Sequence, residues 1–130
     1  MGLLSLPEQT KIVDATAGPV TSNGAVTADY VSVKNCARLY IVINLTQAVA
    51  HATLLTPQRA TAVAGTGVVV LATNVRIWAN EDTAASDTLV SQTAALNYTV
   101  TNDIKKKMVV FKSTLQRWAS RPHRPALRMT

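Results

Sequence analysis

The sequence predicts an all-β fold, a single-domain β-sandwich of jelly-roll-like type with extended terminal arms. Three observations support this prediction. The chain has 19 alanines, 16 valines and 17 threonines among its 130 residues, and valine and threonine favour strands. Short apolar runs recur every roughly 8–12 residues with turn residues between them, which is typical of sandwiches and jelly rolls. No long stretch shows the 3.6-residue period of a helix.

The length fits one domain, and the charge is distributed unevenly along it. Residues 1–112 hold nine Lys and Arg against seven Asp and Glu, whereas residues 113–130 hold four Arg and no acid. The sequence therefore predicts an N-terminal arm over 1–10, a nearly neutral β-sandwich domain over 11–112 and a basic C-terminal arm over 113–130.

The clearest strand pattern covers residues 38–46. Leu39, Ile41, Ile43 and Leu45 alternate with a second face that is apolar at Tyr40 and Val42 and polar at Asn44 and Thr46. A period of two with β-branched side chains indicates a strand with one buried face. The half-apolar second face leads us to expect a central strand, buried on one side and half covered on the other.

Weaker strand patterns occur on both sides of this segment. We expect strands at 11–16, 26–33, 50–55, 68–71, 75–79, 88–91, 97–100 and 108–111. Residues 58–64 could form a short helix or a covering loop. The continuous run 68–71 could be buried on both faces or lie in a subunit contact, and 80–87 reads as a solvated polar loop.

No residue pattern indicates catalysis, a metal site or a cofactor. His51 and His123 are the only histidines and lie far apart in sequence, and Cys36 is the only cysteine. Residues 81–87 hold three carboxylates, but without the alternate spacing and the turn glycine of a calcium loop. We therefore expect a protein that is not an enzyme and has no catalytic, cofactor-binding or metal-binding residues.

Targeting signals are also not expected. Residues 1–6 lack the basic start of a signal peptide, and no stretch reaches the roughly 18 apolar residues of a membrane span. The sequence thus predicts a protein made in the cytoplasm, without membrane contact and without a small-molecule substrate.

Contacts with other proteins are expected at the arms and at the apolar run. Charged residues are only 15% of the chain, so much of the surface is suited to being covered by a partner. In the basic arm, arginine can pair with carboxylates or stack on aromatic rings. Nucleic-acid contact is the weaker alternative there, since the four arginines are not accompanied by a series of aromatic side chains on which bases could stack. The expected contact residues are Leu3, Leu4, Val68, Val69, Val70, Arg117, Trp118 and Arg121.

Residues 28–111 resemble a family of small virion proteins of tailed bacteriophages. The segments that carry the resemblance are 28–35, 40–47, 62–67, 75–80, 82–90 and 108–111. Together they look like a capsid cement, or decoration, protein, similar to that of Bordetella-type short-tailed phages. The resemblance implies a jelly-roll-like fold, oligomers seated on the outer surface of the head, and no catalysis.

We therefore expect a structural virion protein that stabilises neighbouring major capsid subunits. Its partners would be the major capsid protein and further copies of itself, with a dimer favoured over a trimer by the resemblance. The alternative is another virion component without catalytic activity, such as a tail protein, a head-completion protein or a receptor-binding module. Copy number on the particle separates the two, because decoration requires hundreds of copies and a vertex component requires few.

Overall fold

The computed structural model describes residues 5–16, 18 and 25–114, together with the backbone of residues 126–129. These residues form an all-β fold with one short helix, as the composition predicted. In chain order the elements are α1 (Leu6–Gln9), β1 (Val31–Ser32), β2 (Arg38–Thr46), β3 (Thr53–Leu55), β4 (Pro57–Ala60), β5 (Val69–Val70), β6 (Val75–Asn80), β7 (Val90–Ala95), β8 (Tyr98–Val100), β9 (Lys106–Thr114) and β10 (Ala126–Met129).

The strands form three antiparallel sheets. Sheet A has the order β1-β10-β4-β5, sheet B the order β2-β9-β6-β7, and sheet C pairs β3 with β8. Sheet B is built on the two nine-residue strands β2 and β9, which pair along their whole lengths from Arg38–Thr114 to Thr46–Lys106. It therefore contains the two longest strands of the described part of the chain.

The hydrophobic core lies on one face of sheet B. Ile77, Val109 and Phe111 are each at most 1% exposed, and they pack with Leu55 and Val100 of sheet C. Val33 and Leu71, which flank strands of sheet A, complete the same cluster. Alternation explains this arrangement, because every second side chain of β6 and β9 points to this inner face.

Strand β2 has the alternating pattern that the sequence predicted, but its position differs. Its odd-numbered side chains are half-buried against the core, and its even-numbered ones are exposed. Among the described strands only β9 pairs with it, so β2 is an edge strand rather than a central one. The alternation reports which face is covered and carries no information on the number of neighbouring strands, which explains the error.

Two further segments differ from the expectations. Residues 11–16 form no strand, because the carboxylate of Asp14 accepts hydrogen bonds from the backbone N–H and the hydroxyl of Thr16, which favours a turn. Residues 57–60 form strand β4 where a helix or a covering loop was expected. The chain then turns at Gly65, where a side chain is excluded because φ is +83° and an added Cβ atom would lie 2.7 Å from the Tyr30 ring.

The end of the chain also differs from the expected strand-free arm. Strand β9 continues to Thr114, and the backbone of Ala126–Met129 forms β10, which lies between β1 and β4. Residues 113–130 hold two prolines and four arginines, a composition that disfavours a core strand. The prolines, Pro122 and Pro125, precede β10, and a proline before a strand leaves the ladder hydrogen bonds of that strand intact.

Candidate functional site

The outer face of sheet B is the surface best suited to binding. We define the outer face by six even-numbered side chains: Tyr40, Val42, Arg76, Trp78, Val110 and Lys112. Register brings them together in two rows, Tyr40–Lys112–Arg76 and Val42–Val110–Trp78. Antiparallel pairing puts directly opposed side chains about 5 Å apart, so each row forms a continuous strip across three strands.

The outer face exposes apolar area that a free monomer would ordinarily bury. Tyr40 is 53% exposed and Val42 57%, and the neighbouring Trp78 and Val110 are half-buried. Single exposed apolar side chains are ordinary, but a contiguous strip of them marks a contact surface.

Cations flank both aromatic rings of the outer face. The guanidinium carbon of Arg76 lies 5.2 Å from the centre of the Trp78 ring, and Nζ of Lys112 lies 5.9 Å from that of Tyr40. These cation–π contacts hold the long side chains over the face and fix the positions of their charges. No carboxylate occupies an outward-facing position of β2, β6 or β9, so the face is both apolar and positive.

A second polar arrangement lies on the inner side of sheet B and was missed from the sequence. The side chain of Lys107 is fully buried, and its Nζ donates to the backbone oxygen of Thr101 at 2.6 Å, to the Thr101 hydroxyl at 2.8 Å and to Glu81 Oε2 at 3.1 Å. The Tyr98 hydroxyl donates to Glu81 Oε1 at 2.7 Å. All three protons of the ammonium group thus have acceptors, which a buried charge requires.

The pKa of Glu81 reflects this environment. Burial by itself would raise the pKa of the carboxyl, but the hydrogen bonds from Tyr98 and Lys107 and the positive charge of Lys107 outweigh burial and lower it. Burial and the neighbouring Glu81 carboxylate raise the pKa of Tyr98. The cluster therefore holds an ionised Glu81 and a neutral Tyr98, as expected of a structural clamp between the ends of β6, β8 and β9.

The sequence contained a signal for this cluster. Lys107 stands two residues before Val109 and four before Phe111, so the alternation of side chains along a strand places it on the buried face. The sequence predicts that Glu81 and Asp82 both belong to a solvated loop. Asp82 agrees with that prediction, because both side chains of its 3.1 Å ion pair with Lys105 are partly exposed. Glu81 does not agree with it, because the side chain of its partner Lys107 is buried.

The residues predicted as contacts are only partly within the described structure. Val69 and Val70 form the edge strand β5 of sheet A and are 46% and 44% exposed. Burial of this run on both faces is therefore wrong, and its role in a subunit contact stays a prediction. Leu3, Leu4, Arg117, Trp118 and Arg121 lie outside the described residues.

Within the described ranges, no three His, Cys, Asp or Glu side chains are placed so that they could hold a metal ion. The only described helix is the four-residue α1, far short of the length required to cross a bilayer.

Comparison of the chain with protein-family models, with curated proteins and with solved structures finds no match.

Proposed function

We propose that this chain is a structural virion protein that binds the outside of a bacteriophage head and stabilises neighbouring major capsid subunits. The observation that carries the proposal is the outer face of sheet B, which combines exposed aromatic and aliphatic side chains with two cations and no acid. The resemblance of residues 28–111 to phage cement proteins supplies the identity of the partner. We favour contact with capsid protein over contact with nucleic acid.

The composition of the outer face suits a protein partner. Interfaces are enriched in Tyr, Trp and Arg, and their strongest contacts centre on such residues surrounded by apolar neighbours. Tyr40, Trp78 and Arg76 lie within two adjacent rows of one sheet. A rigid antiparallel sheet presents these side chains without ordering a loop on binding, which lowers the entropic cost of association.

Self-association is the second part of the proposal. We propose that copies of the chain pair through strand β2 rather than through Val68–Val70. This edge strand has nine residues and no proline, lysine or described bulge, which are the usual protections of an edge. An antiparallel copy paired at Val42 would place Tyr40 opposite Asn44 and Arg38 opposite Thr46. No like charges meet in this register, and the half-buried Leu39 and Ile41 gain cover.

Occupancy on purified heads tests the docking proposal. Tyr40→Asp places a charge in the outer face, whereas Leu54→Asp does the same on β3, where Leu54 is 54% exposed against 53% for Tyr40. We expect Tyr40→Asp to reduce the number of copies per capsid subunit by about tenfold or more, the equivalent of at least about 1.4 kcal/mol. Leu54→Asp should leave occupancy unchanged.

The proposal fails if both variants occupy heads like the unmodified protein. It also fails if the unmodified protein is found in a few copies at one vertex or on the tail. Thermal unfolding of both free variants serves as the control that neither charge unfolds the domain.

A further inference from the structure

A cleft with three cationic side chains lies beside the outer face. It has a volume of about 420 Å³ and opens between β4 of sheet A and the end of β9 in sheet B. Its cations are Arg59 from β4, Arg76 from β6 and Lys112 from β9. Ser113, Thr114 and Asn74 add hydroxyl and amide groups, and the described residues that line the cleft include no carboxylate.

The acids of sheet B lie at its opposite end. Arg76 is near the start of β6 and Glu81 follows its last residue, so five residues of extended chain separate them by roughly 16 Å. Two ion pairs, Lys105–Asp82 and Lys107–Glu81, lie at that far end. This separation exceeds a Debye length at physiological salt, so these carboxylates do little to offset the charges of Arg76 and Lys112.

We infer that this cleft binds an acidic, extended peptide segment of a partner protein through its carboxylates. Guanidinium groups pair with carboxylates in a bidentate geometry, and the nearby hydroxyl and amide groups can donate to further oxygens. Arg76 and Lys112 belong to both the cleft and the outer face, so a partner seated on the face can place an acidic segment in the cleft. The inference adds the chemistry of the partner segment to the proposed function and rests on it.

Nucleic acid fits the same surface less well. Non-specific binding to a single strand relies on bases stacking on open aromatic rings along a charged groove. Here Arg76 lies over Trp78 and Lys112 over Tyr40, so a cation already lies against one face of each ring and leaves less room for a stacked base. A cleft of about 420 Å³ accommodates a few side chains, which suits a short peptide segment.

Binding of a labelled hexa-aspartate peptide to the full chain tests the inference without any capsid. Fluorescence anisotropy at low salt should show saturable binding that weakens at least tenfold in the Arg76→Gln/Lys112→Gln double variant. The control is Lys34→Gln, which removes one exposed charge outside the cleft and should leave the affinity within about twofold. A mixed-sequence single-stranded DNA hexamer, carrying a comparable charge, serves as the competing probe.

Three outcomes overturn the inference. They are no saturable peptide binding, equal weakening by Lys34→Gln and by the double variant, and tighter binding of the DNA hexamer than of the peptide. The first two would assign any attraction to overall charge, and the third would assign the cleft to nucleic acid. Because head occupancy is measured separately with Tyr40→Asp, failure of the peptide to bind leaves the docking proposal standing.

Discussion

At the scale of single residues, the most informative comparison is between two ion pairs of equal length. Lys107–Glu81 and Lys105–Asp82 both have an N–O distance of 3.1 Å, but the Lys107 side chain is fully buried and the Lys105 side chain is 45% exposed. Removing one partner of a buried pair leaves an uncompensated charge, whereas an exposed pair is screened by water and salt. The burial of each ion pair, rather than its N–O distance, should therefore decide how much the pair contributes to the free energy of unfolding.

Glu81→Gln is accordingly expected to destabilise the fold by about 2–4 kcal/mol, because it leaves the Lys107 ammonium buried without its counter-charge. Lys107→Met in the same chain should recover part of this loss, since the double variant buries no charge. Asp82→Asn should cost less than about 1 kcal/mol. Urea unfolding of the four proteins measures these differences. Equal losses for Glu81→Gln and Asp82→Asn would contradict the placement of Lys107.

The lowered pKa of Glu81 also predicts a pH dependence. A carboxyl group whose pKa falls on folding stabilises the native state above its ordinary pKa, here 4.5, and this contribution disappears as pH falls through the folded value. The stability difference between the unmodified protein and Glu81→Gln should therefore shrink between about pH 6 and about pH 3. Urea midpoints at both pH values measure it, and a constant or growing difference would refute the prediction.

At the scale of elements, the open edge of β2 predicts self-association. Val42→Lys places two lysines opposite each other in the antiparallel register described above, and like charges directly opposed destabilise strand pairing. Val90→Lys on β7 is the matched control, because Val42 and Val90 are both 57% exposed. Sedimentation velocity should show concentration-dependent dimers for the unmodified protein and Val90→Lys, and monomers for Val42→Lys. A monomeric unmodified protein would rule out this contact.

The same elements show how far the sequence could predict the structure. The strands at 38–46 and 75–80 were predicted nearly to the residue, because alternation reports a local property. Sheet order depends on contacts between distant segments, so β2 was placed in the centre although it lies at an edge. The outer face was not predicted as a contact surface. The strand pattern placed Tyr40 and Val42 on one face, but Trp78, Val110 and Lys112 join them only through strand register.

At the scale of the whole molecule, strand β10 connects the end of the chain to the domain. Because Ala126–Met129 pairs with both β1 and β4, sheet A depends on residues that charge alone had assigned to a separate arm. The basic segment 113–130 thus contributes the strand Ala126–Met129 to sheet A. A truncated chain would keep sheet B but lose the strand that joins β1 to β4.

Ending the chain after Thr114 should therefore lower the melting temperature by about 5 °C or more, since each kcal/mol lost shifts the midpoint by several degrees in a domain of this size. Arg117→Gln with Arg121→Gln is the control, as it removes charge from the same segment while keeping the residues of β10. Differential scanning calorimetry of the three proteins measures the shift. An unchanged midpoint after truncation would show that residues 126–129 do not stabilise the domain.

A cryo-electron microscopy reconstruction of heads carrying this protein would determine the orientation of the whole molecule on the virion and so test the proposed docking face. We predict many symmetry-related copies on the outer surface, each with Tyr40, Val42 and Trp78 within contact distance of major capsid subunits and with Leu54 facing away from the shell. Heads without the protein on their surface, or copies whose outer face of sheet B points into solvent, would contradict the account.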